Sequence, residues 1–288
     1  MKPSVYKVDI LKVNADGAIQ VPDLVSVEEP LEIRLAYGSE HNRAKKTISI
    51  TMRTPGNDFE LALGFLFTEN IISSATQLKS IRYCSEPESD EAIDNVVIVE
   101  LETNLEVDLA KLERHFYTTS SCGVCGKTSI EAVQGAACSV ISKNDNWVAE
   151  NVIHQLPKAL REKQSVFEYT GGLHGCALFS NTGNLLLSRE DVGRHNALDK
   201  LIGAALANDQ INLSDCILQL SGRISFELVQ KAAMAGISVV AAVGAPSSLA
   251  VKSAKDFGIT LIGFLRDNRF NVYTHTSRLK LNSYKHEA

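Results

Sequence analysis

From Cys216 onward the chain repeats one unit, a short apolar run followed by a stretch with apolar residues at helical spacing. The run Cys216 to Leu220 leads to a helix over Ile224 to Ala235, and Ile237 to Val243 leads to a helix over Pro246 to Phe257. A third run, Ile259 to Phe264, is followed by Asn271 to Tyr273. Strands alternating with helices at this spacing form a layered α/β sheet, mostly parallel in its later half. Ahead of them, Cys176 to Phe179 and Leu185 to Leu187 make a hairpin across Asn181 to Asn184. The next helix carries Ala197, Leu198, Leu201, Ile202, Ala205 and Leu206 on one face.

The first third is patterned differently. Val5 to Val13, Leu31 to Tyr37 and Lys46 to Arg53 alternate apolar and polar residues, and Asn95 to Glu102 is a further strand. After the turn at Pro55 to Asp58, Asn57 or Asp58 caps a helix through Phe67 that is apolar nearly all round and so buried. Asp108 caps a short helix to Phe116. At about 150 residues per domain, 288 residues make roughly two domains. The expected class is α/β, α+β overall. Residues 1–117 form a mostly β domain with one buried helix, and 166–288 form the α/β domain. Between them, 118–165 hold a cysteine loop and connecting helices over Thr128 to Gln134 and Asn151 to Lys163; Pro157 should end or kink the latter.

The loop Tyr117 to Lys127 contains Cys122-Gly-Val-Cys125-Gly. Two sulfurs two residues apart, before a helix start and beside Lys127, favour thiolate over thiol. Three chemistries fit: thiol-disulfide exchange, half a zinc site, or sulfur relay through a persulfide. A four-cysteine zinc site needs a second close pair, which the sequence lacks. The zinc deaminase signature fails twice, since Ser121 stands where proline belongs and no histidine has glutamate two places on. No metal is therefore expected. The approach through Thr118 to Ser121 is not the strand that opens a thioredoxin-like helix. Gly126-Lys127-Thr128 matches only the end of a phosphate loop, because Ser121 fills the first glycine position. Cys84, Cys138, Cys176 and Cys216 lie in or beside apolar strands as small core residues.

Ligands of open α/β sheets lie beyond the carboxyl ends of the strands. Those ends carry Ser221-Gly222-Arg223, Gly244 to Ser247, and Phe264 to Arg269. With Pro246 at the first helical position, backbone N–H groups around Ser247 and Ser248 can receive a phosphate, with Arg223, Arg266 or Arg269 supplying charge. The alternative for these arginines is surface ion pairing. Arg194 and His195 open a helix, where cations oppose its dipole. Local pairing, of Arg194 with Glu190 or Asp191 and of His195 with Asp199, would compensate. His174 reads as a turn residue.

The charge balance, 29 Lys plus Arg against 34 Asp plus Glu, gives a net −5 and argues against a non-specific nucleic-acid binder. No apolar run approaches the roughly 18 residues of a membrane helix, and Met1 to Ile10 lacks a signal-peptide core, so a cytoplasmic protein is expected. Six cysteines in a chain this long are too sparse for a disulfide scaffold.

Taken together, Cys122-Gly-Val-Cys125-Gly-Lys, Glu190-Asp-Val-Gly-Arg-His-Asn-Ala-Leu-Asp199-Lys, Ser221-Gly-Arg223 and Gly263-Phe-Leu-Arg-Asp-Asn-Arg269 resemble the formate dehydrogenase accessory sulfurtransferase family, FdhD. The resemblance implies a cytidine deaminase-like α/β domain without zinc chemistry, beside a smaller β-rich N-terminal domain. It implies a homodimeric cytoplasmic carrier that accepts sulfane sulfur from a cysteine desulfurase. The sulfur would go to the molybdenum (or tungsten) bis(molybdopterin guanine dinucleotide) cofactor before its insertion into formate dehydrogenase. Cys122 would carry the persulfide, and Cys125 would relay or release the sulfur. Phe264, Leu265, Arg266, Asp267, Asn268 and Arg269, with Ser221, Gly222 and Arg223, would bind the guanine nucleotide moiety, with Phe264 stacking on the base and Asp267 accepting from its edge. Arg194 and His195 would stand at the mouth of the delivery site. The competing reading is a non-catalytic chaperone that holds the finished cofactor and can dispense with both cysteines.

Overall fold

The computed structural model describes residues 2–85, 94–103, 105, 141, 147–208 and 210–282. Cys122, Cys125, Cys138 and the helices expected over Asp108 to Phe116 and Thr128 to Gln134 lie outside the described residues.

Strands β1 (Val5–Asn14) and β2 (Gly17–Ser26) form an antiparallel hairpin. A four-stranded sheet follows, built from β3 (Glu29–Ser39), β4 (Asn42–Arg53), β5 (Leu78–Tyr83) and β6 (Val96–Leu101) in the order β4-β3-β6-β5. β3 and β6 run parallel, and the other pairs are antiparallel. Its apolar face, with Leu31, Ile33, Leu35, Ile48, Val97 and Val99, closes on helix α1 (Asp58–Thr68) through Leu61 and Leu66.

The second half is a six-stranded sheet flanked by two further strands, β7 (Val148–Ala149) and β14 (Leu279–Lys280), which pair with each other. Its strands are β8 (His174–Ser180), β9 (Leu185–Asp191), β10 (Cys216–Leu220), β11 (Val239–Ala242), β12 (Thr260–Arg266) and β13 (Arg269–Thr274). They lie in the order β13-β12-β11-β10-β8-β9. Only β10, β11 and β12 are mutually parallel, so the parallel part is the centre of the sheet. Helices α4 (Arg194–Leu206), α5 (Phe226–Met234) and α6 (Ser248–Phe257) belong to one face, where Leu198, Leu201 and Val229 meet Leu218, Val240 and Leu261. On the other face, α2 (Glu150–Arg161) sets Ile153, Leu156 and Leu160 against Phe179, Ile217, Val239 and Ile262. Short α3 (Ser165–Thr170) follows it. Alternate residues of each central strand thus feed two cores, which is why those runs carry no polar alternation.

Two sequence expectations are corrected here. The helix placed within the connecting segment 118–165 is a layer of the α/β domain, and it runs through Pro157 to Arg161. A proline inside a helix costs about 3 kcal/mol. Burial of Ile153, Leu156 and Leu160, at roughly 1.5–3 kcal/mol each, more than offsets that.

The halves are joined by α1 packing on α4 at backbone contact. A Cβ on Gly64 would fall 1.9 Å from the Asp199 carbonyl oxygen, and one on Gly203 would fall 1.9 Å from that of Glu60. Buried charges complete the joint. The Lys231 ammonium donates to Asp199 Oδ2 at 3.0 Å, Thr68 Oγ1 at 2.8 Å and Glu69 Oε1 at 3.1 Å. The Asp191 carboxylate holds the Lys200 ammonium at 2.7 Å and accepts from the Thr54 N–H at 3.1 Å. Within the first half, Arg53 at the end of β4 holds Asp58 at the start of α1 through two bonds of 3.0 and 2.9 Å.

Candidate functional site

Ladder bonds continue past the carboxyl ends of the central strands and lace their loops together. The Gly244 N–H donates to Gly222 O at 3.1 Å, and the Phe264 N–H donates to Gly244 O at 3.1 Å. The Ile224 N–H donates to Ala245 O at 3.0 Å, and Ser247 N–H to Ile224 O at 3.0 Å. Gly244 is tight because a Cβ there would lie 2.8 Å from Gly222 O. Ser221 is fixed to β8, its N–H donating to Gly175 O and its Oγ accepting from the Gly175 N–H, both at 2.9 Å. The stretches Ser221 to Arg223, Gly244 to Ser247 and the start of Phe264 to Arg269 therefore form one continuous edge.

The last stretch divides by its backbone. Asp267 and Asn268 have φ of 52° and 57°, the two left-handed centres of a tight hairpin turn between paired Arg266 and Arg269. Phe264 is left-handed as well, with φ of 53°, at an irregularity in the pairing of β12 with β13. A bulky aromatic in that region stores roughly 1–3 kcal/mol of strain, a feature that concentrates at ligand sites. Its ring is 37% exposed. Leu265 is different: its side chain, 1% exposed, sits in the core beneath α2, leaving only its backbone for a ligand. Arg266, Asp267, Asn268 and Arg269 are exposed, and so is Arg223. None of these three arginines makes an ion pair with any described residue.

The placing of Pro246 at the first helical position, and with it the Ser247 N–H as a phosphate donor, is corrected. Pro246 precedes the cap of α6, since Ser247 is the cap residue and accepts from the Ala250 N–H at 3.2 Å. The Ser247 N–H is already engaged by Ile224 O.

The expected local pairs of Arg194 and His195 do not form. Glu190 accepts from the Val166 and Phe167 N–H groups at 3.1 and 3.0 Å, and Asp191 and Asp199 hold Lys200 and Lys231. His195 instead becomes neutral: burial, then the charges of Lys231 and Arg194, push its pKa down to about 4. A neutral ring leaves no charge against the helix dipole. Its Nε2 lies 3.3 Å from Ser225 Oγ and 3.9 Å from Glu227, the latter a contact without an ion pair. An unfolded chain protonates this histidine near 6.5, so the stability that neutrality contributes is present above that pH and lost as pH falls toward 4. The slope is up to about 1.4 kcal/mol per pH unit. His195→Gln is expected to flatten the loss of stability, measured by urea unfolding, between about pH 6.5 and about pH 4.5. A slope equal to that of the parent chain would contradict this.

His174 was read as a turn residue, yet it begins β8, beside the end of β10. A Cβ on Gly222 would stand 3.3 Å from its Nδ1. No sequence signal marks this neighbour, because it follows from antiparallel pairing of β8 with β10. Burial, then Arg194 and Arg223, holds its pKa below the usual histidine value. Cys176 and Cys216 are buried as expected, whereas Cys84, just past the end of the edge strand β5, is only partly buried; burial pushes the Cys216 thiol up to about 11 and the Cys176 thiol higher still. Among the described residues no group of three or more His, Cys, Asp or Glu could hold a metal ion, and no helix is long and apolar enough to cross a membrane.

Comparison with known proteins adds the following. Residues 26–280 match the FdhD/NarQ family. The sulfur carrier protein FdhD of Mycolicibacterium paratuberculosis is 48% identical over 271 residues, 94% of this chain and 97% of that protein. That of Sulfurisphaera tokodaii is 42% identical over 275 residues, 96% of this chain and 99% of that protein. The crystal structure of a proposed formate dehydrogenase accessory protein from Desulfotalea psychrophila superposes with a TM-score of 0.72 at 23% identity, covering 96% of this chain and 100% of that one. The last shows a shared fold.

Proposed function

The chain belongs to the FdhD/NarQ family, and from that premise we propose that it is a sulfur carrier for the maturation of formate dehydrogenase. In this reading Cys122 is the carrier. Its thiolate attacks the outer sulfur of a cysteine persulfide on a desulfurase, the donor S–S bond breaks, the donor leaves as a thiolate, and Cys122 holds the persulfide. No net electrons move. Cys125 then relays the sulfur, or attacks the inner sulfur of Cys122 so that a disulfide closes and hydrosulfide departs. The recipient, the molybdenum or tungsten bis(guanine dinucleotide) cofactor, is cargo held for delivery. The same reading makes the protein cytoplasmic and homodimeric.

What supports the cargo site is one observation: exposed Phe264 and Arg223, Arg266 and Arg269, which have no ion-pair partner among the described residues, share one edge of the sheet. An aromatic face and guanidinium forks are what a guanine and its phosphates require. Asp267 offers a carboxylate beside them for the base's N–H groups. Replacing Arg266 and Arg269 together by glutamine is expected to weaken GDP binding about tenfold or more, since a hydrogen bond to a charged group contributes about 1.5–3 kcal/mol. A dissociation constant equal to that of the parent chain, by calorimetry, would rule out this placement.

A further inference from the structure

Positive charge also gathers on the other half of the same edge, at the ends of β8 and β9. Helix α4 starts after Gly193, a residue with no side chain to cap it, and no side-chain cap bond forms. Its first residue is Arg194, whose Nε is buried without a hydrogen-bond partner. Arg223, at the end of β10, has no ion-pair partner among the described residues. Between these elements lies the half-buried imidazole of His174, on which both guanidinium charges act. The acid that bears on it is Asp191, and that carboxylate is fully engaged. It holds Lys200 Nζ at 2.7 Å, the Thr54 N–H at 3.1 Å, the Gly193 N–H at 2.8 Å and Asn196 Nδ2 at 3.3 Å. Glu190 is turned away to the start of α3. The start of α4 follows Asp191, which pairs with His174 across β8 and β9, and Arg223 follows Gly222, which adjoins the same imidazole, so these cations are borne on neighbouring backbone, and Asp191, the acid beside them, is already engaged. A buried arginine nitrogen at the positive end of a helix dipole is tolerated when a ligand brings the missing negative charge.

We propose that Arg194, Arg223 and His174, with the uncapped start of α4, form a phosphate-binding subsite that takes a phosphate or diphosphate group. Arg223 and Phe264 lie at the ends of strands two places apart, about 10 Å at the usual strand spacing. A nucleoside diphosphate with its base on Phe264 can therefore reach the subsite with its phosphates. That assignment of the ligand rests on the function proposed above; the subsite itself rests on the charges.

The test is calorimetry on the full chain at low salt with three probes: inorganic pyrophosphate, GDP and guanosine. The parent chain is expected to bind pyrophosphate. Arg194→Gln and Arg223→Gln together are expected to weaken pyrophosphate at least about tenfold and leave guanosine unchanged. A matching loss for GDP assigns the subsite to the nucleotide's phosphates, whereas a loss for pyrophosphate alone assigns it to a separate phosphate ligand. Unchanged pyrophosphate and GDP affinities, or an equal loss for guanosine, would overturn the subsite. Arg223→Gln alone alters an exposed side chain with no ion pair among the described residues, so it keeps the test open if the double variant fails to fold. The Arg266 and Arg269 variant reports on the β12–β13 turn independently, so the two placements can fail separately.

Discussion

Cys122→Ala is expected to abolish sulfur delivery, lowering the rate at which purified chain, desulfurase, cysteine and cofactor activate formate dehydrogenase on the order of a thousandfold or more. The size of the effect follows from the chemistry. A carrier that forms a covalent intermediate has no partial route once its nucleophile is gone. Cys176 and Cys216 cannot stand in. Cys176 is 1% exposed and Cys216 is equally buried, and burial holds both thiols protonated at neutral pH. Cys125→Ala separates its two roles. Loss of sulfur loading on the chain means that Cys125 takes part in acceptance, while normal loading with stalled delivery means that it releases the sulfur. A chaperone that only holds finished cofactor predicts full activity for both variants.

Lys231→Met is expected to destabilise the fold by about 3–5 kcal/mol in urea unfolding, the cost of leaving a buried charge unmatched. Asp199 is 2% exposed and its carboxylate faces that ammonium at 3.0 Å, with the Thr68 hydroxyl donating to its other oxygen at 2.8 Å. Burial pushes the Asp199 carboxyl up, and the ammonium beside it pulls the other way. Without Lys231, burial and the Glu69 charge push it up, opposed by the Thr68 bond. Because the pair ties α4 and α5 to α1, its loss loosens the joint between the two halves. The double variant Lys231→Met with Asp199→Leu should recover much of the stability, since it removes both charges together. Lys158 and Glu162 provide the contrast. Their 4.0 Å contact is exposed, and Lys158→Met should change stability by less than about 1 kcal/mol. Equal effects at Lys231 and Lys158 would contradict the role given to the buried pair.

The central strands were legible because their both-sided burial writes uninterrupted apolar runs into the sequence. β2 was not: most of Gly17–Ser26 faces solvent on both sides, so no apolar period marks it. The turn that carries Asp267 and Asn268 was legible from the end of the apolar run Ile259 to Phe264, but the left-handed backbone of Phe264 leaves no trace in residue type. Charge pairing misled for a related reason. Asp199 lies one turn from His195, and helical spacing alone joins them. That side of α4 is instead buried against α1 and α5, where Lys231 and Thr68 supply the partners. The approach of His174 to Gly222 was not legible, because antiparallel register, not sequence distance, brings β8 beside β10.

The most direct test of the carrier reading is to incubate the full chain with a desulfurase and cysteine, digest it without reductant, and map the added mass. One extra sulfur atom on the peptide containing Cys122, removed by reductant and absent from Cys122→Ala, is the predicted result. A chain that matures formate dehydrogenase at the normal rate while no sulfur ever appears on Cys122 would contradict it.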